Sequence, residues 1–571
     1  MSLQSMKDNG DAPQWLDEEG YKVLRSGYLL LEETPRQAYE RVAKASARHL
    51  SKDNSGYDYE TLWRKFYEII DNNWLGCATP VMANMGTERG LPISCFNSYV
   101  PDNLGGIMDT VKEIAMMSKY GGGTSGYLGD VRPSGASIAG TGGISNGAIA
   151  WAKILDSTIT SVSQGGVRRG ALALYMQAEH GDIHEFLRMR KPEGDPNRQC
   201  LNLHHGVNLS DDFMNKVLDG EKSSRKIWLD ILKTRSETGE PYLYFTDTVR
   251  RADPEWYKAA GWSTKGSNLC NEIYLASDKD HSFVCCLSSM NLARYDEWKN
   301  TDAVYYATMF LDGVMSEFIE KAKKLEGLER AVRFAEKSRA LGLGVLGWHT
   351  LLQEKQIPFD SFEAMRLNAE IFRHINDNTI RASKDMAKVL GEPELMNGFG
   401  RRNSHLVAVA PTVSNSTISG NVSPGIEPIA ANAFVKNSTQ GSFINFNRSL
   451  KKLLAEIGED NEETWKSIIK NSGSVQHLKS LTDAQREVFL TAREINQYAI
   501  IKQASQRQKW IDQGQSVNVF FASNSDPKYI NKVHIAAWQE GLKGMYYLRS
   551  SSPLRADMTS RDESECKACE A

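Results

Sequence analysis

Ser267-Asn268-Leu269-Cys270-Asn271-Glu272-Ile273, followed by Val284-Cys285-Cys286-Leu287-Ser288-Ser289-Met290-Asn291-Leu292, is the stretch around which the chain reads. Cys270 has an amide two residues before it and a carboxylate two residues after it. In an extended segment those three side chains share one face. Asn268 can then orient a hydroxyl, Glu272 can take its proton, and the Cys270 thiol can act as nucleophile or hydrogen donor. The ordinary alternative is a buried strand cysteine with incidental neighbours. Cys285 and Cys286, close behind in the chain, weigh against it.

Composition restricts the setting. The 571 residues are 41% hydrophobic with a net charge of -3. That supports a large core, which an α/β barrel can hold in one unit. The charge balance leaves no footprint for nucleic acid, and no basic stripe with interleaved aromatics is present. No apolar run reaches the ~20 residues of a membrane helix, and residues 1–15 have no signal-peptide core. A cytoplasmic protein is expected. Eight cysteines in a reducing compartment then point to catalysis or metal binding rather than structural disulfides.

Residues 15–74 have helical periodicity, with Thr34 placed to cap a helix and Pro35 to open it. They read as an N-terminal helical domain, 1–76, without chemistry. The section 77–549 alternates helical runs (107–120, 305–323, 362–390 and 528–540) with short apolar runs, the pattern of an α/β fold. Cys95 is expected on a short strand. Gly121-Gly122-Gly123-Thr124-Ser125-Gly126 lacks the ending of a P-loop and reads as a tight turn or a close backbone approach. Glycine loops around Arg132 and around Gln164 to Arg168 suit phosphate or base contacts, or solvated turns. Residues 407–417 read as a buried strand, a hydroxyl-rich turn and a helix start, where a phosphate or an ordinary N-cap fits. Residues 515–521 read as another buried strand. His180 and His184 have a zinc-compatible spacing but no third ligand nearby, and no histidine follows a glutamate by three. No metal is expected on this chain.

Tyr546-Tyr547 closes the folded part, with one ring expected inside the core and one outside. Residues 550–571 are polar, aperiodic and end in Cys566-Lys567-Ala568-Cys569, the marks of a flexible tail. The dithiol reads as half a zinc knuckle or as a swinging redox pair, and no second Cys-x-x-Cys completes a knuckle. About sixteen residues of coil give it a typical reach of ~20–24 Å and a limit near ~55 Å. That suffices to reduce an internal disulfide by thiol exchange.

Asn268-Leu269-Cys270-Asn271-Glu272, Leu91-Pro92-Ile93-Ser94-Cys95-Phe96, Cys285-x-Leu287-Ser288, Pro411-Thr412, Tyr546-Tyr547 and the terminal cysteine pair together resemble the catalytic large subunit of class I ribonucleotide reductases, over residues 15–571. The resemblance implies a ten-stranded α/β barrel with Cys270 at the tip of a central finger loop. It implies that Cys270 becomes a thiyl radical and removes the 3′ hydrogen of a nucleoside diphosphate. Glu272 would take the 3′-hydroxyl proton and Asn268 would orient the sugar hydroxyls. Cys95 and Cys285 would supply the electrons and finish as a disulfide, which Cys566 and Cys569 reduce. Cys286 leaves the second assignment open, with the spacing to Leu287-Ser288 favouring Cys285.

By the same resemblance, substrate phosphates would lie on Thr412, Val413, Ser414 and Asn415, with Thr79 and Ser94 close to the nucleotide. Nucleoside triphosphate effectors would bind around Asp102, Arg132, Gln164 and Arg168 and bias substrate choice. Tyr546 and Tyr547 would relay an oxidising equivalent from the metal cofactor of a separate small (beta) subunit. Thioredoxin or glutaredoxin would supply electrons, and a homodimer is left open. No cofactor is expected on this chain itself.

An adenosylcobalamin-dependent class II reductase shares the Gly-Leu-Pro-Ile-Ser-Cys and triple-glycine stretches, and the tyrosine pair discriminates against it. A regulatory protein that kept the fold without chemistry, or a zinc-binding structural protein, would be indifferent to Cys270→Ser. Only a short polar leader precedes the helical domain, so the nucleotide-binding cone of many relatives is not expected, nor is its dATP shut-off. A dATP titration should therefore find no tight site within residues 1–76; tight binding there would overturn this expectation.

Overall fold

The computed structural model describes residues 2–52, 55–162, 170–438 and 441–550. Its N-terminal part is helical: Leu3–Asn9, Glu18–Arg25, Pro35–Leu50 and Tyr59–Asp71. The start lies earlier than periodicity suggested, because Ser2 caps the first helix by accepting from the Ser5 N–H. Thr34 and Gln37 form a reciprocal capping box with Pro35 in the first turn, as the sequence indicates. Helix Pro35–Leu50 packs on Ala303–Ala322, where the Ser46 hydroxyl donates to the Phe310 carbonyl at 2.8 Å. One continuous apolar core includes Val42 and Phe66 with Phe310 and Val345.

The strands follow in chain order: β1 (Leu75–Cys77), β2 (Cys95–Tyr99), β3 (Gly123–Tyr127), β4 (Ala171–Gln177), β5 (Leu203–Leu209), β6 (Tyr242–Phe245), β7 (Phe283–Asn291), β8 (Leu341–Leu346), β9 (Ala433–Ser438), β10 (Gly441–Phe446), β11 (Val519–Phe521), β12 (Gly544–Met545) and β13 (Leu548–Ser550). Strands β2 to β6 pair in parallel, in sequence order. At β2 the direction reverses, since β2 pairs antiparallel with β7. Next, β7 pairs in parallel with β8, and Leu343 bridges in parallel to Val407. Val409 bridges to Gln515, the Tyr546 N–H donates to the Val517 carbonyl at 2.8 Å, and β12 pairs antiparallel with β6.

The ring therefore closes with ten strands in two parallel sets of five that run opposite ways. Two of the ten, at 407–409 and 515–517, are single-bridge segments rather than full strands, so the long buried strands expected there are shorter than the apolar runs. The buried apolar content of β7 and β8 is what a sheet covered on both faces requires. The glycine run divides: Tyr120 and Gly121 form a turn with Gly121 at φ 93°, a Cβ on Gly122 would lie 2.5 Å from the Phe96 ring, and Gly123 opens β3, buried between β2 and β4. Helical runs observed at Leu104–Lys119, Ala303–Ala322, Phe362–Leu390 and Pro527–Gln539 match the periodicity closely.

One contact fixes the helical part against the barrel. A Cβ on Gly20 would lie 2.9 Å from the Ile418 carbonyl oxygen, so helix Glu18–Arg25 rests directly on the helix Val413–Ile418. Asn73 Nδ2 donates to the Ser419 carbonyl at 3.1 Å, and Asn421 Nδ2 reaches Asp17 and Glu19. Gly20→Ala should push the two helices apart and cost about 1–3 kcal/mol, read as a lowered melting temperature in thermal unfolding.

Candidate active site

Between β6 and β7 the chain turns into the barrel. A bridge between Thr264 and Ala276 closes the base of this excursion, and Ser267 to Leu275 are buried. A buried loop must satisfy its own backbone groups. Here the barrel wall does it: Asn208 of β5 donates to the Lys265 carbonyl at 2.7 Å, Asn97 of β2 to Ser267 at 3.2 Å, and the Tyr175 hydroxyl of β4 to Asn268 at 2.8 Å. Ser516 donates to the Cys270 carbonyl at 2.6 Å, and the Gly514 N–H to the Glu272 carbonyl at 2.9 Å. In return Asn271 Nδ2 donates to the Leu243 carbonyl of β6 at 3.2 Å. Gly544 has no room for a side chain, since a Cβ there would lie 2.2 Å from the Tyr274 hydroxyl and 2.8 Å from Asn271 Nδ2.

The tip is a tight turn, as a finger loop requires, and not the extended segment in which Asn268, Cys270 and Glu272 would share one face. Leu269 and Cys270 form the turn, the Asn271 N–H donates to the Asn268 carbonyl at 3.3 Å, and Asn271 has φ 60°. Asparagine tolerates that left-handed conformation better than most residues. The turn still brings Asn268 and Glu272 together, with Nδ2 donating to Oε1 at 2.8 Å. Asn268 Oδ1 accepts the Glu272 and Ile273 N–H groups at 3.0 and 3.1 Å, which fixes its amide orientation. Burial pushes the Glu272 carboxyl up to about 7, against the pull of Asn268 and Ser516.

Cys95 and Cys285 are register partners across the antiparallel β2–β7 seam, the relation in which two Cβ atoms stand ~4.5–5.5 Å apart. Asn268 Nδ2 lies 3.5 Å from the Cys95 sulfur, and Gln513 Nε2 lies 3.2 Å from the Cys285 sulfur. Cys286 sits on the opposite face of β7, its thiol toward the Leu311 carbonyl of helix Ala303–Ala322. The strand pleat thus separates two cysteines that sequence spacing left ambiguous. Burial raises both Cys285 and Cys286 well above the ordinary thiol range.

Tyr546 and Tyr547 lie between β12 and β13, not within a strand, so their rings do not alternate. The centroids are 4.2 Å apart; Tyr546 is buried and Tyr547 half-buried. Tyr546 shares a buried cluster with Cys270, Tyr242 and Tyr244, and burial raises its phenol first, the nearby Cys270 second.

Other expected residues fall nearby or outside. Ser94 is buried beside Cys95, with 3.9 Å between hydroxyl and sulfur. The Thr79 hydroxyl is 2.8 Å from that of Tyr28. Thr412, Ser414 and Asn415 are buried at the turn into helix Val413–Ile418, while Val413 is exposed. The Thr412 hydroxyl accepts the Gly425 N–H at 2.7 Å. Asp102 and Arg132 form an ion pair at 2.9 Å beside helix Leu104–Lys119. Gln164, Arg168, Cys566 and Cys569 lie outside the described residues. His180 binds the Val131 carbonyl and the Asp182 N–H, and His184 faces Asp230; among the described residues no group of three or more acids, cysteines or histidines could hold a metal. Sequence reasoning missed Tyr175, Tyr242, Gln513 and Ser516, which carry no motif; only the Tyr242-Leu243-Tyr244 alternation offered a signal.

Comparison with known proteins places this arrangement. Residues 14–90 match the family described as ribonucleotide reductase, all-alpha domain, and residues 93–224, 221–399 and 394–548 match ribonucleotide reductase, barrel domain. The chain belongs to the ribonucleotide reductase large-subunit family. It is 42% identical to a putative ribonucleoside-diphosphate reductase large subunit of Frog virus 3, over 89% of this chain and 92% of that protein. It is 34% identical to the ribonucleoside-diphosphate reductase large subunit of Invertebrate iridescent virus 3, over 97% and 98%. Among solved structures, the class Id ribonucleotide reductase alpha subunit of Actinobacillus ureae is 44% identical, with TM-score 0.87 over 95% of this chain and 99% of that one.

In this reductase the Glu272 carboxyl has a stability signature of its own. Its folded pKa of about 7 stands above the ~4.3 of an unfolded glutamate, so the native state holds the extra proton between those values. Native stability therefore falls as pH rises through that window. Glu272→Gln should gain about 2–3 kcal/mol on the parent protein between about pH 5 and pH 8, measured by unfolding at both values.

Proposed function

We propose that this chain is the catalytic subunit that reduces ribonucleoside diphosphates to 2′-deoxyribonucleoside diphosphates, and so supplies DNA precursors. The observation that carries the reading is the convergence of one carboxyl and three thiols in the barrel: Glu272 and Cys270 on the finger, Cys95 and Cys285 opposite each other on the wall. Cys270, as a thiyl radical, takes the 3′ hydrogen of the ribose. Glu272, as carboxylate, accepts the 3′-hydroxyl proton, and Asn268 holds the sugar hydroxyls in place. A radical at C3′ lets the 2′-hydroxyl leave as water. Cys95 and Cys285 give up two electrons and two protons, one proton leaving with the 2′-hydroxyl as water and one hydrogen going to C2′, and become a disulfide, while Glu272 returns its proton to the 3′ oxygen. Cys270 then returns its hydrogen to C3′.

The oxidising equivalent reaches Cys270 through Tyr547 and Tyr546 from the metal cofactor of a separate small subunit. The 4.2 Å ring separation and the shared cluster with Cys270 support that route. Kinship with a class Id alpha subunit favours it over the cobalamin-dependent alternative. Substrate phosphates lie on Thr412 to Asn415 beside Thr79 and Ser94, and triphosphate effectors on Asp102, Arg132, Gln164 and Arg168. Cys566 and Cys569 pass electrons from thioredoxin or glutaredoxin. A cytoplasmic setting fits six buried thiols, and among the described residues no helix is long and apolar enough to cross a membrane.

Nucleoside diphosphate reduction, assayed with a small subunit or with adenosylcobalamin, tests the reading. Turnover should require the small subunit, and Cys270→Ser should abolish it. Cys95→Ser and Cys285→Ser should each stop multiple turnover, whereas Cys286→Ser, on the outer face, should retain it. Turnover with cobalamin alone, or an active Cys270→Ser, would overturn the reading.

A further inference from the structure

Two tyrosines formed the expected relay; the fold puts a third phenol against both. The β6 pleat turns Tyr242 and Tyr244 to one face, into the barrel. One step beyond the β6–β12 register, the Tyr242 ring lies 4.8 Å from that of Tyr546 and 5.3 Å from that of Tyr547. Its hydroxyl donates to the Tyr547 hydroxyl at 3.1 Å. On the far side, the His204 imidazole stacks on Tyr242 at 6.2 Å, with Nδ1 3.5 Å from the Tyr547 hydroxyl and 2.6 Å from Glu240 Oε1. Arg190 pairs with Glu240 behind it. Tyr244 differs: its hydroxyl donates to the Thr264 carbonyl at 3.1 Å, and its ring faces Tyr274.

A phenol is oxidised near neutral pH by losing an electron and its proton together. An O–H aimed at the oxygen of a neighbouring phenoxyl can give up both in one hydrogen bond. We propose that Tyr242 is a third redox-active tyrosine of the relay, exchanging a hydrogen atom with Tyr547. In that step the Tyr242 O–H bond breaks and a Tyr547 O–H bond forms. The Tyr547 phenoxyl is reduced by the one electron and one proton that Tyr242 loses, and Tyr242 becomes the phenoxyl. The Tyr547 phenoxyl is first made by the one-electron oxidant of the small subunit, so the proposal rests on the function proposed above. The proton stays within the Tyr242–Tyr547 pair throughout. His204 and Glu240 are positioning residues that hold the ring faces in place.

The test replaces Tyr242 with 3-aminotyrosine, which is easier to oxidise than tyrosine, in the full-length chain. Mixed with small subunit, substrate and effector, the protein should accumulate an aminotyrosyl radical, seen by electron paramagnetic resonance, as the small-subunit oxidant decays by the same amount. The same replacement at Tyr244 should give none. A radical at position 547 but none at 242, or one equally strong at 244, overturns the proposal and leaves the functional reading standing. No radical at 242, 546 or 547 overturns both. Tyr242→Phe, which keeps the ring and loses only the hydroxyl, should lower kcat and leave KM unchanged; an unchanged kcat also overturns the proposal.

Discussion

A loop buried inside a barrel is affordable only if every carbonyl and N–H along it finds a partner. Along the finger from Thr264 to Ala276, the carbonyls of Lys265, Ser267, Asn268 and Cys270 are met by polar side chains of the barrel wall: Asn97, Tyr175 and Asn208 on β2, β4 and β5, and Ser516 on the opposite set. Each donates to a specific loop carbonyl, so together they set the depth at which Cys270 stands. The chemistry of the reductase inherits its precision from this scaffold, and a change in any one anchor leaves a carbonyl stranded in a dry interior.

The same burial sets the acid–base character of the site. Glu272 is kept from an ordinary carboxylate pKa by the exclusion of water, yet Asn268 and Ser516 moderate the effect. The outcome is a group that changes protonation near neutrality, where a base that must give its proton back works best. The Cys285 thiol on the β2–β7 seam is raised well above the ordinary thiol range for the same reason, which suits hydrogen and proton donation better than nucleophilic attack.

Much of this was legible in the sequence, because Asn268, Cys270 and Glu272 fall within five residues and the cysteines sit beside recognisable neighbours. Helices with strong periodicity, such as Phe362–Leu390, were legible for the same local reason. What escaped depends on contacts between distant segments. The resemblance places Cys270 at a finger tip, while the conformation of the tip itself, a tight turn with Asn271 at φ 60°, is set by anchors on four separate strands that no local sequence shows. Gly123 reads as a turn residue, and becomes strand because β2 and β4 flank it. Spacing favours Cys285 over Cys286 without deciding between them, whereas the β2–β7 register sets Cys285 opposite Cys95. Gln513 and Ser516 sit in the polar stretch Asp512-Gln513-Gly514-Gln515-Ser516, which matches no motif, and nothing short of the fold shows what they hold.

The barrel lumen holds more phenols than a relay needs, and their acceptors differ. Tyr175 and Tyr244 donate to amide carbonyls of Asn268 and Thr264. A carbonyl is far too weak a base to keep a proton, so an electron taken from either ring would leave an unstable cation that reclaims it. In the proposed relay these rings would serve as electrical insulation, filling the space around an oxidant without offering it a leak. If the barrel carries the radical transfer proposed above, it can be lined with oxidisable side chains and still direct a hole to one sulfur atom, because the hydrogen-bond partner of each phenol would decide whether it conducts.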